Sequence, residues 1–159
     1  MSANKQLFYQ QTLTEARAEL ENLLTSLTEE QLQIPVISEG QIWTALDIVT
    51  HLLENERAMS IHVHKIRQGK ETVPEGFDLD NWNAGLKERA EPRPLSALLE
   101  DLKRTRSKTL EILETIKDDE WQLQGRHPLR GVITIEQYYE TIAGHDSWHT
   151  KDIKKALHL

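Results

Sequence analysis

Two histidines near the end of the chain are the residues best placed to do chemistry. His145 and His149 belong to the segment Ile142-Ala-Gly-His-Asp-Ser-Trp-His149. Residues four apart share one face of a helix, and neutral imidazole is the commonest metal ligand in proteins. The pair therefore favours a divalent metal site. A bare pair at this spacing is a weak motif, because buried histidines are also often held by hydrogen bonds alone.

The apolar pattern around the pair predicts that both imidazoles face the protein core. A helix over residues 134–157 would place seven residues within an arc of roughly 80°. These residues are Ile135, Tyr138, Ile142, His145, His149, Ile153 and Ala156. Such an apolar stripe normally packs against the core, so the histidines must be hydrogen-bonded or bound to an ion.

A third imidazole is available on a second predicted helix, over residues 44–68. His51 lies about 60° around that helix from the apolar Ile48, at the edge of the inward stripe, and is the candidate third ligand. His62 shares the stripe but lies about 16 Å further along the axis. His51 and His62 therefore cannot bind the same ion, and we predict a structural role for His62.

Two more amphipathic helices complete the predicted architecture. Leucines and isoleucines recur every three or four residues over 4–27 and 95–117. Capping boxes mark the starts of the other two helices, at Thr44 with Asp47 and at Thr134 with Gln137. A short capped turn at Thr28 that Pro35 stops, a loop from there through Gly40 to Trp43, and connections over 70–93 and 118–133 join the helices. The sequence thus predicts an all-α, four-helix bundle with long connections, as a single domain over residues 1–159.

In such a bundle, His51, His145 and His149 would form a metal site between facing helices. Three protein nitrogens leave coordination positions open for water or substrate, as in catalytic sites. Glu54 and Asp146 are candidates to accept hydrogen bonds from the imidazoles. A di-iron carboxylate site is excluded, because the chain lacks the paired Glu-x-x-His motifs that such sites use.

Other residues have two open interpretations each. Arg106 would reach an anionic substrate if it faced inward, although its polar surroundings favour a solvent-exposed position. Phe77 and Trp82 either line a cleft or, as we favour, fix their loop to the core. His127 and Tyr138 are possible neighbours of the metal site and equally possible structural residues.

Composition excludes several classes of function. The formal net charge of −7 argues against a nucleic-acid-binding surface. No apolar run is long enough to span a membrane, and the first residues lack a signal peptide, so we expect a cytoplasmic protein with a small-molecule substrate. The chain has no cysteine, and any thiol chemistry would need a thiol supplied by a cosubstrate.

The order and spacing of these motifs resemble the DinB-like (DinB/YfiT-type) family of metalloenzymes. The resemblance rests on Trp43-Thr-Ala-Leu-Asp-Ile-Val-Thr-His51-Leu, Phe77-Asp-Leu-Asp-Asn-Trp-Asn83, Gly125-Arg-His-Pro-Leu-Arg-Gly131 and the His-x-x-x-His segment. It covers nearly the whole chain. It implies a four-helix bundle, often a homodimer, with nickel or zinc most often bound and iron in some branches. Characterised relatives include S-transferases and isomerases that use bacillithiol, mycothiol or glutathione.

Two functional hypotheses of different classes follow. In the first, the chain is a metal-dependent transferase or hydrolase whose ion lowers the pKa of a bound water or cosubstrate thiol. In the alternative, it is a non-catalytic small-ligand-binding or stress-response bundle with a structural metal. A weaker third possibility is an iron site for oxygen chemistry. A site of three imidazoles suits several metals, so the sequence does not identify the ion as nickel, zinc, iron or manganese.

Overall fold

Four long helices dominate the structure, a computed structural model that describes residues 2–159. The elements, in chain order, are α1 (Ser2–Ser26), α2 (Glu29–Leu32), β1 (Val36–Ser38), β2 (Gln41–Trp43), α3 (Ala45–Arg67), α4 (Leu79–Ala84), α5 (Leu86–Arg89), α6 (Leu95–Leu113), β3 (Gln124–His127), β4 (Gly131–Thr134) and α7 (Ile135–Leu157). Helix α7 packs against α1 and α3, and α3 also packs against α6. The predicted four-helix bundle is confirmed.

The apolar stripes predicted from the sequence form the core of the bundle. Two clusters fill its two ends, one around Leu24, Ile48 and Leu102 and the other around Leu13 and Tyr138. Each of these side chains is at most 2% exposed. Burial of these apolar side chains makes the main favourable contribution to the free energy of packing the helices together.

The predicted helix starts agree with the structure, whereas one predicted end is wrong. Thr28, Thr44 and Thr134 each close a capping box. Helix α6 ends at Leu113 rather than at residue 117. The backbone N–H of Ile116 bonds to the carbonyl of Leu113 in a tighter turn, and Ile116 remains buried. Its burial explains why the apolar pattern continues past the end of the helix.

Two antiparallel hairpins replace segments that the sequence predicted as loops. The strands are only three or four residues long, too short for a clear alternation of apolar and polar residues. The β1–β2 hairpin leads into α3 and packs against α7, while the β3–β4 hairpin leads into α7 and packs against α3. The hairpins therefore tie together the two helices that contain His51, His145 and His149.

Within residues 2–159, no helix combines the length and the apolar character needed to cross a membrane.

Candidate metal centre

The structure brings the three predicted histidines together. His145 Nε2 lies 3.2 Å from His51 Nε2 and 2.9 Å from His149 Nε2. Ligand nitrogens around one tetrahedral zinc ion would be about 3.3 Å apart, given bonds of about 2.0–2.1 Å. All three side chains are at most 9% exposed. The spacing of the nitrogens suits a single ion.

Glu39 is a fourth member of this cluster that sequence analysis missed. Its Oε1 lies 3.1 Å from His145 Nε2 and its Oε2 lies 3.7 Å from His149 Nε2. The Glu39 carboxylate also contacts His51 Nε2. One ligand atom from each of the four residues lies within 4.8 Å of all the others. The cluster could therefore offer three imidazoles and one carboxylate to an ion.

A tight turn between β1 and β2 places the Glu39 side chain. Glu39 has a φ of 48° and Gly40 a φ of 74°, both in the left-handed region that type I′ hairpin turns require. A non-glycine residue rarely adopts this conformation, and such residues concentrate at functional sites. The hairpin thus holds a carboxylate against two helices that are distant in sequence.

The charge states in the cluster suit a cation. Burial would raise the pKa of Glu39, but the neighbouring imidazoles of His145, His149 and His51 outweigh burial and hold the pKa below its usual range. Burial lowers the pKa of His51, and it lowers the pKa of His149 to about 4. At neutral pH, Glu39 is ionised and these two imidazoles are neutral, which is the state that binds metals. Glu39 Oε2 is also fully buried without a hydrogen-bond partner in residues 2–159. The donor set fits a divalent ion.

Hydrogen bonds behind the cluster orient the imidazole rings, although not from the predicted residues. His149 Nδ1 lies 2.8 Å from Ser38 Oγ, which in turn donates to Asp152 Oδ2 at 2.5 Å. The amide of Asn55 lies 3.0 Å from His51 Nδ1. Glu54, predicted for this role, instead pairs with Arg89 at 3.0 Å, because its carboxylate points away from the cluster.

Asp146 was also predicted to orient an imidazole, and this prediction is wrong. Its carboxylate accepts hydrogen bonds from Arg17 Nε at 3.0 Å and from Arg106 Nη2 at 2.9 Å. Both arginines also pair with Glu56. The favoured solvent-exposed position of Arg106 is wrong as well, since Arg106 is only 5% exposed. Two carboxylates neutralise the two buried arginines.

A cleft with a volume of about 200 Å³ opens beside the cluster. Glu39, His51 and His145 line it, so the cluster faces a space that solvent can enter. The other lining residues are Asn55, Met59, Leu79, Asn83, His127, Leu129, Arg130, Thr141, Gly144 and Trp148. A small molecule in this cleft would contact the candidate metal centre.

Of the other residues that the sequence suggested as neighbours of the site, only some line the cleft. His127 lines it. Tyr138 is buried and donates to the carbonyl of Arg126 at 2.9 Å, and its ring packs against His62, which supports the structural role predicted for that histidine. Trp82 does not line this cleft and is not part of the core, since its side chain is 44% exposed. The centre of its ring lies 3.8 Å from the guanidinium carbon of Arg89. Phe77 packs beside Trp82.

The sequence does contain a signal for the hairpin that holds Glu39. Glu39-Gly40 separates two short runs rich in β-branched and aromatic residues, which is a pattern typical of a two-residue hairpin. Nothing in the sequence signals that Ser38 and Asp152 meet His149, since these contacts depend on the packing of the hairpin against α7.

Fold and site together define a four-helix-bundle protein with a candidate centre of three histidines and a glutamate. The chain matches the model of the DinB superfamily over residues 12–153 and belongs to that superfamily. The resemblance noted in the sequence is therefore confirmed. No curated protein matches the sequence.

Solved structures share the fold at low sequence identity. YfiT from Bacillus subtilis, described as a probable metal-dependent hydrolase with an unusual four-helix bundle topology, is 23% identical, with a TM-score of 0.77 over 96% of this chain and 86% of YfiT. The four-helix bundle protein TT2238 is 20% identical, with a TM-score of 0.68 over 94% of this chain and 98% of its own. A mycothiol-dependent maleylpyruvate isomerase is 14% identical, with a TM-score of 0.72 over 93% of this chain and 60% of its own. At these identities, the likeness establishes the fold alone.

Proposed function

We propose that this protein is a metal-dependent enzyme that acts on a small electrophilic molecule by S-transfer or hydrolysis. His51, His145 and His149 would hold a divalent ion, and the Glu39 carboxylate would lie beside it. When bound, the ion would lower the pKa of a water or a cosubstrate thiol and so supply a nucleophile near neutral pH. The observation that carries the proposal is the position of this cluster in the wall of a cleft that solvent can enter.

The donor set limits the metal without selecting one. Imidazoles suit zinc, nickel, copper and iron, while a carboxylate oxygen also suits manganese. We favour nickel or zinc, with iron and manganese as possible alternatives. The description of YfiT as a metal-dependent protein supports a metal here, and the mycothiol dependence of the similar isomerase supports a thiol cosubstrate. Because this chain has no cysteine, the cosubstrate would supply the thiol.

In this proposal, Glu39 has the role of proton acceptor. Its carboxylate is ionised, lines the cleft and lies next to all three imidazoles. It can therefore take a proton from a water or thiol that enters the cleft beside the histidines. Ser38 holds His149 through Nδ1 and leaves Nε2 directed at the cluster.

A second candidate function is a non-catalytic ligand-binding bundle with a structural metal. The presence of Glu39 favours it, because three imidazoles and one carboxylate could fill all four positions of a tetrahedral ion, as in closed structural sites. In that case, Glu39 would be a permanent ligand rather than a proton acceptor.

The variant Glu39→Gln separates the two functions. The tag-free protein, loaded with zinc or nickel, would be assayed for thiol transfer to 1-chloro-2,4-dinitrobenzene with glutathione, mycothiol or bacillithiol, and for hydrolysis of p-nitrophenyl acetate. The enzyme proposal predicts turnover by the wild type, none above background for His149→Ala, and at least about a tenfold loss for Glu39→Gln with its metal retained.

Loss of metal and of thermal stability in Glu39→Gln, without turnover by the wild type, would instead support the structural metal. Glu54→Gln is the matched control, since Glu54 pairs with Arg89 away from the cluster, and we expect it to behave like the wild type. The proposal also includes a cytoplasmic homodimer, as expected from the sequence and its family resemblance, with no nucleic-acid or membrane partner.

A further inference from the structure

Asn83 is a buried polar residue whose side-chain carbonyl lacks a hydrogen-bond partner among residues 2–159. Its side chain is 2% exposed and lines the cleft from α4. Asn83 Oδ1 is fully buried and has no hydrogen-bond partner among residues 2–159. Native proteins rarely leave a buried acceptor unpaired, and such a group usually bonds to an ordered water or a ligand. The position of Asn83 in the cleft wall points to a ligand.

His127 supplies a second polar group to the same cleft. Its Nδ1 accepts hydrogen bonds from the backbone N–H groups of Leu129 and Arg130, each at 3.1 Å. The ring proton therefore lies on Nε2, for which residues 2–159 offer no hydrogen-bond partner. His127 thus presents a hydrogen-bond donor on the side of the ring away from its own turn.

The rest of the cleft wall is mainly apolar. Met59, Leu79, Leu129 and Trp148 contribute aliphatic, thioether and aromatic surface. Burial lowers the pKa of His127 to about 4, so its ring is uncharged near pH 7. Among the described residues that line the cleft, Arg130 alone carries a formal positive charge. Its side chain is exposed and already donates to the Thr141 hydroxyl at 2.6 Å.

We propose that Asn83 determines the specificity of this cleft and selects a compact, mostly apolar substrate with a neutral amide-type group. A rotation of the Asn83 amide would turn Oδ1 toward the cleft. An N–H of the substrate would then donate to Oδ1, and the substrate carbonyl would accept from Asn83 Nδ2 or His127 Nε2. A carboxylate carries no donor and would leave Oδ1 unpaired. This inference rests on the proposed function only in taking the cleft as the substrate site.

Three ring compounds of similar shape test the proposal directly. Benzamide carries both an N–H and a carbonyl, acetophenone only the carbonyl, and benzoate a charge without a donor. Their binding to the full, ¹⁵N-labelled chain would be measured by NMR titration, with and without zinc. We expect benzamide to bind at least about tenfold more tightly than the other two and to shift the side-chain amide signals of Asn83.

Asn83→Leu should reduce that preference to within about twofold, whereas Asn81→Leu, on the exposed side of the same helix, should keep it. Asn83→Leu should not lower Tm more than Asn81→Leu, because no hydrogen bond to residues 2–159 is lost. If leucine prevents folding, Asn83→Ser should show the same loss of preference.

Several results would overturn the proposal: equal binding of the three compounds, preferred binding of benzoate, or an unchanged preference in the Asn83 variants. Because benzamide is also titrated into the metal-free chain, the outcome does not depend on metal uptake. Failure of the metal site would leave the amide preference intact, and loss of the preference alone would leave the proposed chemistry standing.

Discussion

His149 is held on both sides of its imidazole ring. On one side, Nε2 lies 2.9 Å from His145 Nε2 in the cluster. On the other, Nδ1 lies 2.8 Å from Ser38 Oγ, whose own proton goes to Asp152. Because the hydroxyl proton is engaged with the carboxylate, Ser38 is left to accept from Nδ1–H. This arrangement keeps the lone pair on Nε2 available for an ion.

Removal of the Ser38 hydroxyl tests this arrangement. Ser38→Ala should weaken metal binding by about 10–100-fold, the usual effect of losing a hydrogen bond that orients a ligand. Affinity would be measured by competition with a chromophoric chelator. Ser96→Ala, at an exposed position of α6, is the control and should bind metal like the wild type. Equal affinities for both variants would show that the contact does not orient the ligand.

At the level of elements, four buried charged residues join the four long helices. Arg17 of α1 and Arg106 of α6 each contact Glu56 of α3 and Asp146 of α7. The network is neutral overall, and the arginines also donate to backbone carbonyls. Asp146 directly follows His145, so the network fixes the rotation of α7 that directs the histidines toward α3.

Removing one arginine from this network should strongly destabilise the folded protein. Arg106→Met keeps much of the side-chain volume but leaves Glu56 and Asp146 with Arg17 as their only arginine partner. Loss of one partner from a buried ion pair typically lowers the free energy of unfolding by about 3–5 kcal/mol. Urea denaturation would measure this change. Arg104→Met, on the exposed face of the same helix, should have a much smaller effect, and equal effects would contradict this account.

The pH dependence of stability should report the same network. Burial would raise the pKa of Glu56, but Arg106 and Arg17 outweigh burial and lower it. Because the pKa is lower in the folded state, this stabilisation is present above the unfolded pKa of about 4.3 and is lost as the pH falls below it. The acid sensitivity should be weaker in Arg106→Met than in the wild type.

The helices were predictable from the sequence because their signals are local. Apolar periodicity and the capping boxes at Thr44 and Thr134 depend on residues three or four apart. The same periodicity predicted that His145 and His149 face inward and that His51 lies at the edge of an inward stripe. The contribution of Glu39 was not predictable in this way, because it depends on a hairpin folding against α7, far along the chain.

The burial of Arg106 was not predictable from the sequence for a similar reason. A polar stretch in the middle of α6 is typical of a solvent-exposed face, yet Arg106 is buried because Glu56 and Asp146 neutralise it. Its partners lie on other helices, and no local pattern identifies them. Partners that are distant in sequence therefore account for what sequence analysis missed in both the core and the site.

At the scale of the whole molecule, the fold concentrates its functional features on one side of the α3–α7 pair. Both hairpins meet these helices, and the cleft runs from the cluster of Glu39, His51 and His145 to the wall formed by α4. The segment over 70–93, predicted as a long connection, contributes Leu79 and Asn83 to that wall. The molecule thus combines a rigid bundle with a candidate site assembled by its connections.

Metal content is the most direct test of the central claim. Protein without a histidine tag would be analysed by inductively coupled plasma mass spectrometry for the wild type, His145→Ala and His64→Ala. We predict about one nickel or zinc ion per chain in the wild type and in His64→Ala, whose histidine is exposed, and almost none in His145→Ala. A wild-type protein that contains no metal and takes up none on titration would contradict the account.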